Sequence, residues 1–267
     1  MKKLSQEQQK RLDELNERFI QAAEQGKVRQ YPKQIFDALR SYHYGGMPLS
    51  ILLFIPELCN GQCYDMSTVM TLAFDECKQL YGDIESLRIL TEGGESPMKA
   101  DHAFVEAYGY IFDTSNGLMY EKDTYWDIEK PTIRASHTKA ECLEFLEADG
   151  TLGNDFERDK WSLLFILPIA ESIVNNPRQI ATKFNQKLLL EEIAKLKAEI
   201  NFEGMKAEQD ADIELMRTDP HALDKKFGSK ADMQDSKKRA KFHADIVTQH
   251  MREGKATIKS ATDLSCL

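Results

Sequence analysis

The chain has 267 residues, of which 42% are hydrophobic, and this is enough to build a buried core in one large domain or two smaller ones. The formal net charge of -9 argues against a nucleic-acid partner, because phosphate binding relies on a clustered basic surface. The longest apolar run, residues 161–170, is too short to cross a bilayer, so we expect no membrane partner.

The N-terminus and the cysteines indicate the compartment. Residues 1–15 lack the apolar segment of a signal peptide, so we expect a cytoplasmic protein unless a dedicated secretion system exports it. The five cysteines are an odd number without the spacing of a disulfide framework, which fits a reducing environment.

The first part of the chain is predicted to be helical. Apolar residues recur at helical spacing over 12–23, and a second, shorter helix is expected over 32–42, with Pro in its first turn. A third helix is predicted over 64–81, where the apolar residues form one stripe. Gly82 is expected to end this helix.

Strand signals follow the third helix. Apolar and polar residues alternate between turns that contain Gly, Asn or Ser, which predicts a small antiparallel sheet. Two more helices are expected over 136–149 and 156–174, so the predicted fold class is α+β. The predicted strands cover residues 86–90, 102–108, 110–114 and 117–121.

The composition of the chain changes near residue 176. A helical apolar stripe continues over 180–200, and residues 203–267 are charged and poor in large apolar groups. We therefore divide the chain into a domain at 1–176 and a helical, charged C-terminal region at 177–267. This region is expected to form a helical hairpin or to order on meeting a protein partner.

Cys63 directly precedes the third predicted helix. Unpaired backbone N–H groups at a helix start favour a thiolate, so Cys63 is a candidate nucleophile; a small buried thiol is the structural alternative. A nucleophilic thiol needs a base, and of the six histidines only His102 opens a predicted strand.

Asp113 is the candidate third member of this site. The predicted strand 102–108 places His102 and Phe104 on one face. If residues 108–109 form a two-residue hairpin turn, Asp113 comes opposite Phe104 and lies diagonal to His102 on the same face. Moving the turn by one residue keeps the same face. Asp113 would then orient the imidazole and leave its second nitrogen for the thiol.

Three short motifs resemble those of transglutaminases. Residues 61–64, Gly-Gln-Cys-Tyr, resemble the Gly-Gln-Cys-Trp nucleophile motif of that family. Residues 102–106, His-Ala-Phe-Val-Glu, are similar to the His-x-Trp-x-Glu strand that carries its histidine. Residues 113–115, Asp-Thr-Ser, resemble its Asp-Pro-Thr. The motifs occur in the family's order, and the resemblance covers roughly residues 50–125.

The resemblance implies a transglutaminase-like core related to the papain fold, in which a helix with Cys63 at its N-terminus packs on the antiparallel sheet. It implies Cys63 as nucleophile, His102 as base and Asp113 as the residue that orients His102. Tyr64 in place of Trp, Thr114 in place of Pro and a short interval between His and Asp depart from the family pattern.

The implied activity is thiol-dependent acyl transfer on an amide, with hydrolysis of a peptide or protein substrate by a cysteine peptidase or amidase as the preferred interpretation. One alternative is a protein glutamine deamidase or transamidase. The other is a catalytically silent member of the superfamily that binds a protein partner through this fold and the C-terminal helices. Fold alone does not choose among these reactions.

Three further residues are candidates for the site. Gln62 would add an oxyanion donor beside the backbone N–H of Cys63. Tyr64 and Trp126 are candidates for the wall of a substrate cleft, although packing in the core is the preferred interpretation for Trp126 and its neighbour Tyr125.

A zinc site is the alternative chemistry for this region. Cys59 and Cys63 would form half of such a site together with His43 or His102. A second close pair of ligands is missing from the sequence, so we expect neither a metal nor a cofactor.

Overall fold

The computed structural model describes residues 6–44, 47–59, 61–85, 100–149, 152–153 and 156–218. These residues form an α+β structure in which an antiparallel sheet lies between two layers of helices. No helix within the described ranges is long and apolar enough to cross a membrane. The helices are α1 (Gln6–Glu24), α2 (Lys33–Leu39), α3 (Leu49–Leu52), α4 (Cys63–Met70), α5 (Lys122–Glu129), α6 (Lys139–Asp149), α7 (Phe156–Asn175), α8 (Ile180–Phe184), α9 (Gln186–Glu199) and α10 (Phe202–Thr218).

The strands form two sheets. Of the described strands, six build the main sheet in the order β1-β7-β6-β5-β4-β8, and each neighbouring pair is antiparallel. Three short strands form a second sheet in the order β3-β2-β9. The strands are β1 (Val28–Gln30), β2 (His43–Tyr44), β3 (Met47–Pro48), β4 (Lys78–Ile84), β5 (Ala100–Ala107), β6 (Tyr110–Asp113), β7 (Leu118–Glu121), β8 (Thr132–Thr138) and β9 (Leu152–Gly153).

The hairpin between β5 and β6 forms where the sequence predicts it. Ala107 pairs with Tyr110 across a two-residue turn, in which Tyr108 and Gly109 have φ values of 51° and 85°. Positive φ at both central residues is typical of a type I′ turn, whose twist matches that of the paired strands. The predicted turn position is confirmed, and it fixes the register between the two strands.

The third helix is shorter than predicted. α4 ends at Met70, a 3-10 turn (Thr71–Ala73) follows, and residues 78–84 belong to β4. The prediction that this helix continues to residue 81 is therefore wrong, as is the assignment of Gly82 to its end. Gly82 lies inside β4, where a Cβ atom would come 2.1 Å from the Thr132 carbonyl oxygen, so only glycine lets β8 approach this closely.

The later predictions have mixed outcomes. Residues 132–138 form β8, an edge strand with mostly exposed side chains, so the helix predicted from residue 136 begins only at Lys139. The helix predicted over 156–174 is confirmed, as are the two N-terminal helices. The strand predicted over 86–90 lies outside the described residues, as do residues 219–267 of the predicted C-terminal region.

Both faces of the main sheet are buried. The smaller layer consists mainly of α1 and α5, which pack on the face that carries Phe104, Ile111 and Tyr120. The larger layer packs on the face that carries Val105 and Phe112. It joins buried residues of α2, α3, α4, α6, α7 and α9 in one cluster. The boundary proposed near residue 176 falls between α7 and α8, and buried residues on both sides of it belong to this cluster.

Candidate active site

Cys63 is the first residue of α4, and its side chain is partly exposed. The first hydrogen bond of the helix runs from the Met66 N–H to the Gln62 carbonyl. The Cys63 N–H comes before this bond and is therefore one of the N–H groups without a partner inside the helix. Gly61, with a φ of 79°, turns the chain into this helix. The predicted location of the thiol at a helix start is confirmed, and the partial positive charge there favours a thiolate.

His102 and Asp113 meet across the β5–β6 hairpin. Val105 pairs with Phe112, so Phe104 and Asp113 are the next opposed positions and His102 lies diagonal to Asp113. The Nε2 atom of His102 is 3.0 Å from the Oδ1 atom of Asp113, and these side chains are only 6% and 3% exposed. The contact predicted from the alternation and the turn is therefore present.

Cys63 contacts the same imidazole from α4. Its side chain hydrogen-bonds that of His102 and also accepts a hydrogen bond from the Ala103 backbone N–H. Because Nε2 of His102 faces Asp113, Nδ1 is the ring nitrogen left for the thiol. The structure thus brings together the three residues that the sequence nominates.

The carboxylate of Asp113 has further partners that sequence reasoning missed. Oδ1 also accepts a hydrogen bond from the Ser115 backbone N–H at 2.9 Å. Oδ2 lies 3.3 Å from Nδ2 of Asn116 and 3.2 Å from the hydroxyl of Tyr125. Nδ2 of Asn116 is also 2.7 Å from the Tyr120 hydroxyl. The Asn-Gly turn after β6 was the available signal for Asn116. Tyr125 was expected to pack in the core with Trp126, and nothing in the sequence pattern indicated its bond to Asp113.

These contacts stabilise the charged forms of the three groups. Burial raises the pKa of Cys63, but the hydrogen bond and the charge of His102 outweigh burial, so the pKa lies below that of an ordinary thiol. Burial lowers the pKa of His102, and the charge and hydrogen bond of Asp113 more than reverse this, to about 10. Burial also raises the pKa of Asp113, yet the charge of His102 brings it below its ordinary value. The site therefore favours a thiolate–imidazolium pair.

The other described thiols shift in the opposite direction. Burial raises the pKa of Cys59 to about 12, that of Cys77 to about 12 and that of Cys142 to about 11. Among the four cysteines within the described ranges, Cys63 alone has a lowered pKa. This contrast separates Cys63 from thiols that serve packing.

The other candidate residues, Gln62, Tyr64 and Trp126, have different surroundings. The side chain of Gln62 is exposed and does not cap α4. Tyr64 follows Cys63 in the chain and packs edge-on against Tyr81, with 5.9 Å between the ring centroids. Trp126 contacts Phe104, at 6.1 Å between centroids, so one ring separates it from the imidazole of the site. The roles of these three residues in catalysis or substrate binding stay predictions.

A second buried carboxyl lies near this site. Glu129, at the end of α5, is 5% exposed, and its Oε2 atom has no hydrogen-bond partner among the described residues. Burial raises its pKa to about 8, and the charge of Asp113 adds to this effect. Sequence reasoning did not single out this residue.

The two cysteines of the alternative zinc site make separate contacts. The Cys59 thiol donates to the Leu52 carbonyl oxygen at 2.7 Å, and Cys63 contacts His102. Across the part of the chain that the structure describes, no three His, Cys, Asp or Glu side chains gather closely enough to hold a metal ion.

Comparison with known proteins yields no match to a protein-family model, a curated protein or a solved structure.

Proposed function

We propose that the chain is a thiol-dependent acyl-transfer enzyme acting on an amide of a peptide or protein, and that its α+β core is transglutaminase-like. The observation that carries the proposal is the buried hydrogen bond between His102 and Asp113, with the Cys63 thiol on the same imidazole. A cysteine at a helix start with an oriented histidine base is the arrangement that nucleophilic thiol catalysis requires. The order Cys, His, Asp along the chain also supports the likeness to transglutaminases.

The residues would carry out the reaction in two steps. The Cys63 thiolate attacks the amide carbonyl carbon, a C–S bond forms, and negative charge develops on the carbonyl oxygen. The His102 imidazolium gives its proton to the amide nitrogen, the C–N bond breaks, and the amine leaves. Water then attacks the thioester and gives a proton to His102. The C–S bond breaks, and the carboxylic acid leaves as the thiolate–imidazolium pair re-forms.

Two features would support these steps. The backbone N–H of Cys63 comes before the first hydrogen bond of α4, so it is a candidate donor to the oxyanion. Asp113, buried and bonded to Nε2, would hold the imidazole in one orientation throughout both steps. Hydrolysis is the preferred outcome because water is always present as acceptor, whereas transamidation requires a bound amine.

The first test is the pH dependence of iodoacetamide labelling, mapped to each cysteine by mass spectrometry in the unmodified protein and in His102→Ala. We expect Cys63 to react fastest, at a pH below about 8.5, where an ordinary thiol is largely protonated. Cys59 and Cys77 serve as internal controls because burial raises their pKa values. If Cys63 reacts no faster than these two, or keeps its advantage without His102, the proposed ion pair is wrong.

The second test separates an enzyme from a silent binding module. We expect the unmodified protein to hydrolyse peptide amides and Cys63→Ala not to. The circular dichroism spectra of the two proteins should coincide, which shows that the variant is folded. Adding a primary amine to the reaction distinguishes hydrolysis from transamidation by the product formed. Lack of turnover across a broad set of glutamine and peptide amides, despite a reactive Cys63, would favour the silent module.

A further inference from the structure

The carboxylate of Asp113 is held at both of its oxygens, and His102 accounts for only one of the contacts. Oδ1 receives His102 Nε2 at 3.0 Å and the Ser115 N–H at 2.9 Å. Oδ2 receives the Tyr125 hydroxyl at 3.2 Å and Asn116 Nδ2 at 3.3 Å. Oδ2 thus has two donors of its own, separate from the imidazole that bonds Oδ1.

The Tyr125 side chain is held in place by packing in the core. Its side chain is fully buried, and its ring packs against Phe104 at 4.7 Å and Tyr120 at 5.1 Å between centroids. Burial raises the pKa of its hydroxyl well above the ordinary value, and the charge of Asp113 adds to this. The hydroxyl is therefore protonated at neutral pH, and it donates to the carboxylate.

On the premise of the proposed function, we propose that Tyr125 is a positioning residue, which fixes the plane of the Asp113 carboxylate so that Oδ1 stays on His102. A carboxylate that is held at one oxygen can rotate about its Cβ–Cγ bond. Donors on Oδ2 oppose that rotation, and Asn116 supplies the second of them. Fixing the carboxylate acts on Cys63 in two steps. The fixed carboxylate stabilises the imidazolium, and the imidazolium stabilises the thiolate.

The test measures iodoacetamide labelling of Cys63 against pH in the unmodified protein, Tyr125→Phe, Asp113→Asn and the double variant. Tyr125→Phe removes the hydroxyl and keeps the ring. We expect its labelling midpoint to rise by about half to one pH unit, which is a threefold to tenfold loss of rate on the acid side. Asp113→Asn should raise the midpoint at least as far, and adding Tyr125→Phe to it should cause no further shift.

Tyr31→Phe is the matched control. It also removes a buried tyrosine hydroxyl, but that hydroxyl has no hydrogen-bond partner among the described residues. We expect its labelling midpoint to equal that of the unmodified protein. An equal shift in Tyr31→Phe and Tyr125→Phe would overturn the proposal, because the effect would then not depend on the bond to Asp113.

Two other outcomes would also overturn it. An unchanged midpoint in folded Tyr125→Phe contradicts a positioning role, and additive shifts in the double variant mean that Tyr125 acts through packing alone. If Tyr125→Phe does not fold, Asn116→Ala removes the other donor to Oδ2 and is expected to raise the midpoint in the same direction. If the unmodified Cys63 shows no dependence on His102, the proposed function fails, and this inference falls with it.

Discussion

At the scale of single residues, two buried carboxyls near the site have opposite properties. Asp113 receives four hydrogen-bond donors and faces an imidazolium, and its pKa is lowered despite burial. Glu129 lacks a partner for Oε2 among the described residues, and burial raises its pKa to about 8. Both side chains are removed from water, so the difference lies in the charge of His102 beside Asp113 and in the donors to its carboxylate.

Glu129→Gln is expected to change how stability depends on pH. Burial raises the folded-state pKa of Glu129 from 4.5 to about 8, so the folded state binds more protons than the unfolded state between these values. The contribution of Glu129 to the free energy of unfolding is therefore complete below pH 4.5 and is lost as the pH rises through 8. The loss has an upper bound of roughly 5 kcal/mol.

Urea denaturation at several pH values between 4.5 and 8.5 measures this effect. We expect the stability of Glu129→Gln to increase relative to that of the unmodified protein as the pH rises across this range, because Gln does not ionise. Curves that stay parallel across the range would show that Glu129 ionises at the same pH in the folded and unfolded states.

The sequence could predict that Cys63, His102 and Asp113 meet, but not which side chains support them. Cys63, His102 and Asp113 follow from a helix start, an alternating strand and a two-residue turn, all of which are local patterns. The hydroxyl of Tyr125 reaches Asp113 only because α5 folds back over the sheet face that carries Asp113. Such a contact depends on tertiary packing, which local periodicity does not contain.

At the scale of elements, local chemistry explains which predictions held. The β5–β6 hairpin was predictable because Gly109 supplies positive φ between two alternating segments. The helix over 64–81 was predicted too long because Leu80 and Tyr81 also fit a helical stripe, although residues 78–84 pair with two strands. β8 was missed because its exposed side chains give no apolar alternation.

Gly82→Ala is expected to destabilise the β4–β8 pair. The added Cβ would lie 2.1 Å from the Thr132 carbonyl oxygen and 2.9 Å from the Ile133 Cα, both of which are backbone atoms. One strand must move, and we expect a loss of about 3 kcal/mol in the free energy of unfolding. Urea denaturation measures this loss as a lower midpoint with an unchanged m-value.

Gly109→Ala is the matched control for this substitution. The added Cβ atom would meet no atom within 4 Å, so only the positive φ of 85° makes this substitution unfavourable. We expect a loss of about 1 kcal/mol in the free energy of unfolding. Equal losses in Gly82→Ala and Gly109→Ala would contradict the steric explanation for Gly82.

At the scale of the whole molecule, helices that are distant in the chain share one core. Buried Ile193 of α9 belongs to the same apolar cluster as Leu163 and Leu167 of α7. Arg40 also reaches Glu192 of α9, with 2.6 Å between the guanidinium and the carboxylate. The α+β class was predictable from the order of helical and alternating segments. Periodicity alone did not show how the helices after residue 176 pack, and the domain division at that point stays a prediction.

Ile193→Ala tests that division. The side chain is 1% exposed, so its truncation leaves a cavity, and we expect a loss of about 3 kcal/mol in the free energy of unfolding. Because its neighbours in the cluster come from both sides of residue 176, we expect one unfolding transition that moves as a whole, measured by calorimetry and by circular dichroism. Lys195→Ala, on the exposed face of α9, should change stability by less than about 0.5 kcal/mol. Two transitions, of which Ile193→Ala lowers only one, would instead establish 177–267 as a unit that unfolds by itself, and the shared cluster would then act as an interface between domains.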